Sequence, residues 1–357
     1  MKKVAVSFLS VALLISTLTA CGGDTASEGS ASSGDVSTDG EASYTIKLAI
    51  ANSLIDPEEP ETIFCNEFTS KLDELTGGAI EVEVYQNAQL GTMEEMRDMC
   101  ISGTLEATLT NINTISSVYP NTMALVCPGM FANEAEVNGV LRSEWGDEFF
   151  AQMAEETSLY TAAVCANGMR CYSSSKSPLT TVDSIRGQTI RVMQDSLSVV
   201  MAEAVGVNAV PMAGSEMYSA MQSGTVDGQE NGINSFINDK SYEVQNYLVL
   251  DRHMPSILLL EMSYDFYQSL PEEYQSAVDE AALYASQEME KAIDRVNEEG
   301  IEFLEGEGIE VYEPTAEELE DWQTPAYEAC SAYLKEELGG ELLDSLAAEI
   351  ESYRAGN

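Results

Sequence analysis

Arginines carry the chemistry that is easiest to read in this chain. Of its 357 residues only 16 are Lys or Arg, against 61 Asp or Glu, so every cation is scarce. In "GQTIRVM" (Gly187 to Met193) strand alternation puts Ile190 and Val192 on one face and Thr189, Arg191 and Met193 on the other. Arginine seldom points into a fold unless an anion meets it. Its planar fork matches a carboxylate with two parallel, charge-assisted bonds. By pattern alone two anions remain open: an internal Asp or Glu, or the carboxylate of a bound solute. The window from Arg170 to Arg191 holds four basic residues (Arg170, Lys176, Arg186 and Arg191) and one acid, Asp183. Lys176 and Arg186 bracket the turn-rich "SPLTTVDSI", where exposed charge is the ordinary expectation.

Catalytic chemistry finds few residues to use. The single histidine, His253 in "LDRHMPS", would have to serve any Ser-His or Cys-His scheme, and its expected role is to shape the crossover after "NYLVLD". No glycine-rich phosphate loop is present. Asp227 and Glu230 are a nominal carboxylate pair, and an extracellular hydrolase is the least favoured reading. The seven cysteines, at 21, 65, 100, 127, 165, 171 and 330, match no CxxC or zinc spacing. Cys65 and Cys100 fall in helical apolar patterns, as buried inert thiols do. A disulfide is permitted outside the cell but not required. No cofactor or metal is expected.

The elements that must position these residues begin after an export signal. Lys2 and Lys3, an apolar stretch from Val4 to Leu18 and "LTAC" form a secretory signal peptide over residues 1–20. The apolar run is short of the ~20 residues that span a bilayer. Its end resembles the lipobox of bacterial lipoproteins, in which Cys21 would be lipidated. Residues 21–43 then read as a flexible Gly/Ser/Asp tether. Setting aside the two signal lysines and the five tether acids leaves 14 basic and 56 acidic residues, a net charge of −42 over residues 44–357. Nucleic acid is excluded on that charge, and so is an anionic lipid surface held through a basic patch. The length predicts two lobes.

Strand and helix patterns alternate as βαβαβ over Tyr44–Asn111: strands at Tyr44–Ala51, Ala79–Tyr85 and Leu105–Asn111, with helices between them. A second series starts near Gly168, with strands Gln188–Met193 and Val207–Val210 and helices Ser196–Val205 and Ser215–Ser223. "SILLLEMS" (Ser256 to Ser263) adds an apolar strand. Pro271 to Gly306 predicts one helix roughly 50 Å long, longer than a lobe is wide, so it should lie across both lobes. Gly300 is a candidate bend.

The stretches "RGQTIRVM" and "VGVNAVPMAGSEMYSAMQSGTVDGQENG" resemble the substrate-binding proteins of TRAP transporters, the DctP-type family. "YQNAQLGTMEEMRDMCISGTLEATLTN" and "SYEVQNYLVLDRHMPSILLLEMSYDFYQSLPEEYQ" extend the resemblance, which runs from Tyr44 to roughly Gly308. It implies an α/β, two-lobed, periplasmic-binding-protein-like fold, each lobe a sheet flanked by helices, joined by crossing strands and the long helix. Lobe I is expected over 44–167 plus 257–296, lobe II over 168–256 plus 297–357. The resemblance further implies capture of an organic acid, with Arg191 pairing with its carboxylate and Arg170 as a second ligand-facing arginine. Asn231 and Asn111 match polar site positions, and Gln194 and Asn52 are weaker transfers. Gly214 stands where sialic-acid-binding members carry an aromatic, and Asn111 where they carry a glutamate. Gly232 and Met193 replace prolines of the family pattern. Met93, Met193 and Met212 read as apolar walls or as core. The implied partners are a TRAP membrane permease and, through lipid on Cys21, the outer face of the cytoplasmic membrane. A sensory ectodomain binding the same acids is the alternative.

Overall fold

The computed structural model describes residues 43–356. The expected signal peptide, Cys21 and all of the expected tether but Ser43 lie outside the described residues. The first series is β1 (Tyr44–Ile50), α1 (Pro60–Thr76), β2 (Ile80–Tyr85), α2 (Met93–Ile101) and β3 (Ala107–Asn111), the alternation read from the sequence. In α1 the apolar spacing buries Phe64, Phe68 and Leu72, and Gly77 stops the helix in the left-handed conformation with φ 59°. Helices α3 (Glu134–Leu141) and α4 (Glu144–Thr157) lead into β4 (Leu159–Ser174), a strand of 16 residues. The second series is β5 (Thr189–Val192), α5 (Ser196–Ala204), β6 (Asn208–Pro211), α6 (Gly214–Gln222), β7 (Gly228–Asn231) and α7 (Ile233–Asn238). It is followed by β8 (Tyr247–Val249), β9 (Met254–Ser263), α8 (Tyr264–Ser269), α9 (Glu272–Gly306), β10 (Glu310–Tyr312), α10 (Ala316–Leu338) and α11 (Glu341–Gly356).

The strands run β2-β1-β3-β9-β4-β7-β5-β6, with β8 beside β4 and β10 beside β8. The flanks are parallel: β1 with β2 and β3, and β5 with β6 and β7. The middle is antiparallel, where β9 lies between β3 and β4. The first part of β4 pairs with β9, and its last four residues pair with β7. The register slips between Ala166 and Met169, where Gly168 takes φ +86°, a conformation that costs a side-chain-bearing residue dearly. The strands that cross the middle of the sheet are thus β4 and β9.

Helix α9 runs unbroken through Gly300. A Cβ at Gly300 would sit 3.0 Å from both Ile233 and Ile237, so this glycine lets α9 approach α7 closely. One face of α9 buries Val278, Ala281, Ala285 and Met289 with the α1 core of lobe I, and its far end buries Leu304 beside Phe236 of lobe II. The rod therefore spans both lobes. Helix α10 packs on α5, whereas α11 packs on α3 and on the 3-10 segment Pro120–Val126. All six described cysteines are unpaired and buried, and burial pushes the thiols of Cys127 and Cys165 up to about 12.

Candidate functional site

A cavity of about 360 Å³ opens at the C-terminal ends of β1, β3, β5, β6 and β7. Open α/β sheets leave such crevices because the connections after neighbouring strands diverge there. All seven residues singled out from the sequence line it: Asn52, Asn111, Arg170, Arg191, Gln194, Gly214 and Asn231. Met93, Met193 and Met212 line it as well.

Arg191 lies in the middle of the parallel trio, opposite Val210 of β6 and Gln229 of β7. Both Nε and Nη2 donate to the Met212 carbonyl, at 2.9 and 2.7 Å. That carbonyl clamps one edge of the guanidinium, and Nη1 with the second Nη2 hydrogen is left without a protein acceptor among the described residues. No carboxylate forms an ion pair with Arg191 among them. Burial lowers its pKa from 12.5 to about 10, so it stays a cation at neutral pH. Gly214 opens α6 beside it, and a Cβ there would lie 4.0 Å from Nη2. The start of α6 adds partial positive charge to the same corner.

Arg170 is placed otherwise. Its Nε and Nη2 pair with the Glu230 carboxylate, Nη2 also donates 2.7 Å to the Glu230 carbonyl, and Nη1 donates 3.0 Å to Asn231 Oδ1. One Nη1 hydrogen remains for the cavity. Asn231 Oδ1 also takes the Gly232 N–H at 3.1 Å, which fixes the amide and leaves Nδ2 to donate elsewhere. His253 lies behind this pair, with Nδ1 2.8 Å from Asp251 Oδ2 and Nε2 3.6 Å from Glu230 Oε2. Burial alone would lower the His253 pKa, but Asp251 and Glu230 raise it to about 9. Burial alone would raise Glu230, but Arg170 and His253 hold it at about 2. These four charges form a buried, mutually compensated block behind the cavity wall. His253 shapes the crossover, as its sequence position suggests.

Asn111 is buried at the end of β3, with Oδ1 accepting from Asn113 N–H at 3.0 Å and Nδ2 donating to Ser256 Oγ at 3.2 Å. Asn52 donates 2.9 Å from Nδ2 to both oxygens of Glu61. Gln194 is exposed at the rim. Lys176 pairs with Asp227 and Arg186 with Asp183, both on the surface, and neither lines the cavity. Gly232 is crowded: a Cβ there would stand 3.0 Å from the Asn167 carbonyl.

Sequence reasoning passed over Glu61, Asn167, Ser256 and Asp239, which also line the cavity. Glu61 sits in the first turn of α1, as many helical acids do, and Asp239 follows the end of α7. Neither carries a local signal. Burial and the neighbouring Glu59 and Asp239 push the Glu61 carboxyl well above its usual range. Burial likewise raises Asp239 to about 6, against the pull of Arg191 and Arg170.

Residues 51–336 match the family model described as bacterial extracellular solute-binding protein, family 7 (DctP). A solute-binding protein of Verminephrobacter eiseniae is 30% identical over 68% of this chain and 72% of its own length. Two solved structures are similar in fold. The sugar acid binding protein of Advenella mimigardefordensis, in complex with galactonate, superposes with a TM-score of 0.81 at 25% identity, covering 86% of this chain and 98% of that one. A TRAP periplasmic solute binding protein of Sulfurospirillum deleyianum, with bound succinate, superposes at 0.79 and 26% identity, covering 86% and 99%. No described helix is long and apolar enough to cross a membrane.

Proposed function

Because the chain belongs to bacterial extracellular solute-binding protein family 7, a family of binding proteins and not of enzymes, we propose that it captures an organic acid through Arg191 and hands it to a TRAP-type membrane permease. The open edge of the Arg191 guanidinium carries this reading. A buried cation without an internal anion is costly, and here the missing anion has a cavity to arrive in. The Met212 carbonyl holds the fork still, so little side-chain entropy is lost when a carboxylate docks. Asn231, steadied by Arg170, supplies a neutral donor. Lipid on Cys21 would hold the protein at the outer face of the membrane. The lobes are proposed to close about β4 and β9, divided at residues 167–168 and 256–257, with α11 travelling with lobe I because it packs on α3.

The test pairs affinity with stability. Native mass spectrometry of freshly purified protein identifies a retained acid, and calorimetry measures its binding. Arg191→Ala should lose about 2–5 kcal/mol, roughly 30-fold to a few thousand-fold in affinity. Its unliganded melting temperature should stay near wild type, since no internal carboxylate is abandoned. A variant that melts far below wild type yet binds normally overturns the reading. Co-purification with a permease supports delivery, and co-purification with a signalling receptor instead overturns it.

A further inference from the structure

Two of the solved neighbours hold a polyhydroxy monocarboxylate and a dicarboxylate, so likeness does not choose between these chemistries. The cavity wall does. Of the two arginines facing it, Arg170 is already neutralised by Glu230 at a buried contact, and Arg191 alone keeps an open fork. One free fork accommodates one carboxylate. The remaining ionisable groups on the lining are Glu61, Glu94 and Asp239, all acids. Asp239 has no side-chain hydrogen bond or ion pair among the described residues, although both arginines act on it at longer range. Glu61 accepts only from the amides of Asn52 and Asn167, with no cation in contact.

Resting on the Arg191 reading, we infer that the solute is a monocarboxylate bearing hydroxyl groups, and that Asp239 rejects a second carboxylate. Once the first carboxylate occupies Arg191, a second would meet acids with no cation left to compensate it. Like charges placed together at a desolvated site are strongly unfavourable. Hydroxyls meet the same acids as hydrogen-bond donors, and bonds to charged acceptors are among the stronger ones. Asp239 thus fulfils two tasks with one group: it binds the far end of a hydroxy acid and repels that of a diacid.

The experiment titrates the full-length protein with galactonate, gulonate, succinate and hexanoate. At least one hexonate should bind ten-fold or more tighter than either succinate or hexanoate. Asp239→Asn, and Asp239→Ser as a second variant, should narrow the hexonate-to-succinate ratio on the order of tenfold, mainly by improving succinate. Unliganded melting curves establish that each variant is folded. Succinate or hexanoate binding as tightly as the hexonates in wild type overturns the inference. An unchanged ratio in both variants, or a wild type that binds none of the four acids, also overturns it. Arg191→Ala run alongside separates the two readings. If it loses the bound acid while the Asp239 ratio stays unchanged, the arginine reading stands and this one falls. If Arg191→Ala binds as wild type does, both fall.

Discussion

Two arginines stand on the same cavity wall, almost equally sealed from solvent, and the fold treats them oppositely. Arg170 is 2% exposed and Arg191 4%. Arg170 is committed to Glu230 and Asn231, with His253 and Asp251 completing a compensated block. Among the described residues Arg191 hydrogen-bonds only to a backbone carbonyl. Burial therefore does not distinguish an arginine paired with an internal acid from one left open to the cavity. The partner left to it does, and the two sites should fail in different ways when disturbed.

The largest effect should come from the committed arginine. Arg170→Ala leaves Glu230 fully buried without its cation, which should destabilise the unliganded protein by about 3–5 kcal/mol. Denaturant unfolding reads this directly, and a variant as stable as wild type would erase the contrast. At the open arginine the sharper probe is Arg191→Lys. A point charge cannot reproduce both prongs of the fork, so affinity should fall between wild type and Arg191→Ala while stability stays level. Lysine matching wild-type affinity would show that charge, and not geometry, holds the acid.

A smaller effect follows from pH. His253 titrates at about 9 in the fold against 6.5 ordinarily, so the folded state binds its proton more tightly. The stability this contributes is fully present below about 6.5 and is lost as pH rises through 9. The melting-temperature gap between wild type and His253→Gln should shrink across that window, and a constant gap would remove His253 from the charged block. The smallest effect concerns the support of Asn231. Gly232→Ala crowds the Asn167 carbonyl at 3.0 Å and should cost about 1 kcal/mol, with a modest loss of affinity as the amide shifts. Equal stability and affinity would mean that the crossover yields easily.

Most of the elements were legible because their signals are local. The α1 stripe, the Gly77 stop and the alternation around Arg191 each involve residues within a few positions of one another. The long helix announced itself by length. Gly300, expected as a bend, serves as a contact instead, because its role depends on Ile233 and Ile237 more than 60 residues away. Arg170 had the right place and an unforeseen commitment, since Glu230 lies opposite Tyr172 only once β4 and β7 pair.

From its own residues the chain determined a strongly acidic, two-series α/β protein with an arginine aimed off one strand face. Those properties depend on composition and on side-chain periods of two and 3.6, which consecutive residues set among themselves. Only the tertiary structure decided which charges meet. Asn52 with Glu61, Arg170 with Glu230, and Asp239 on the cavity wall without a side-chain hydrogen bond among the described residues are outcomes of how distant segments pack. Hydrogen bonds and ion pairs act over a few ångströms, a distance that sequence separation does not encode. Whether a cavity arginine met an internal acid or stayed open was therefore settled where the strands end, by which carboxylates came within reach.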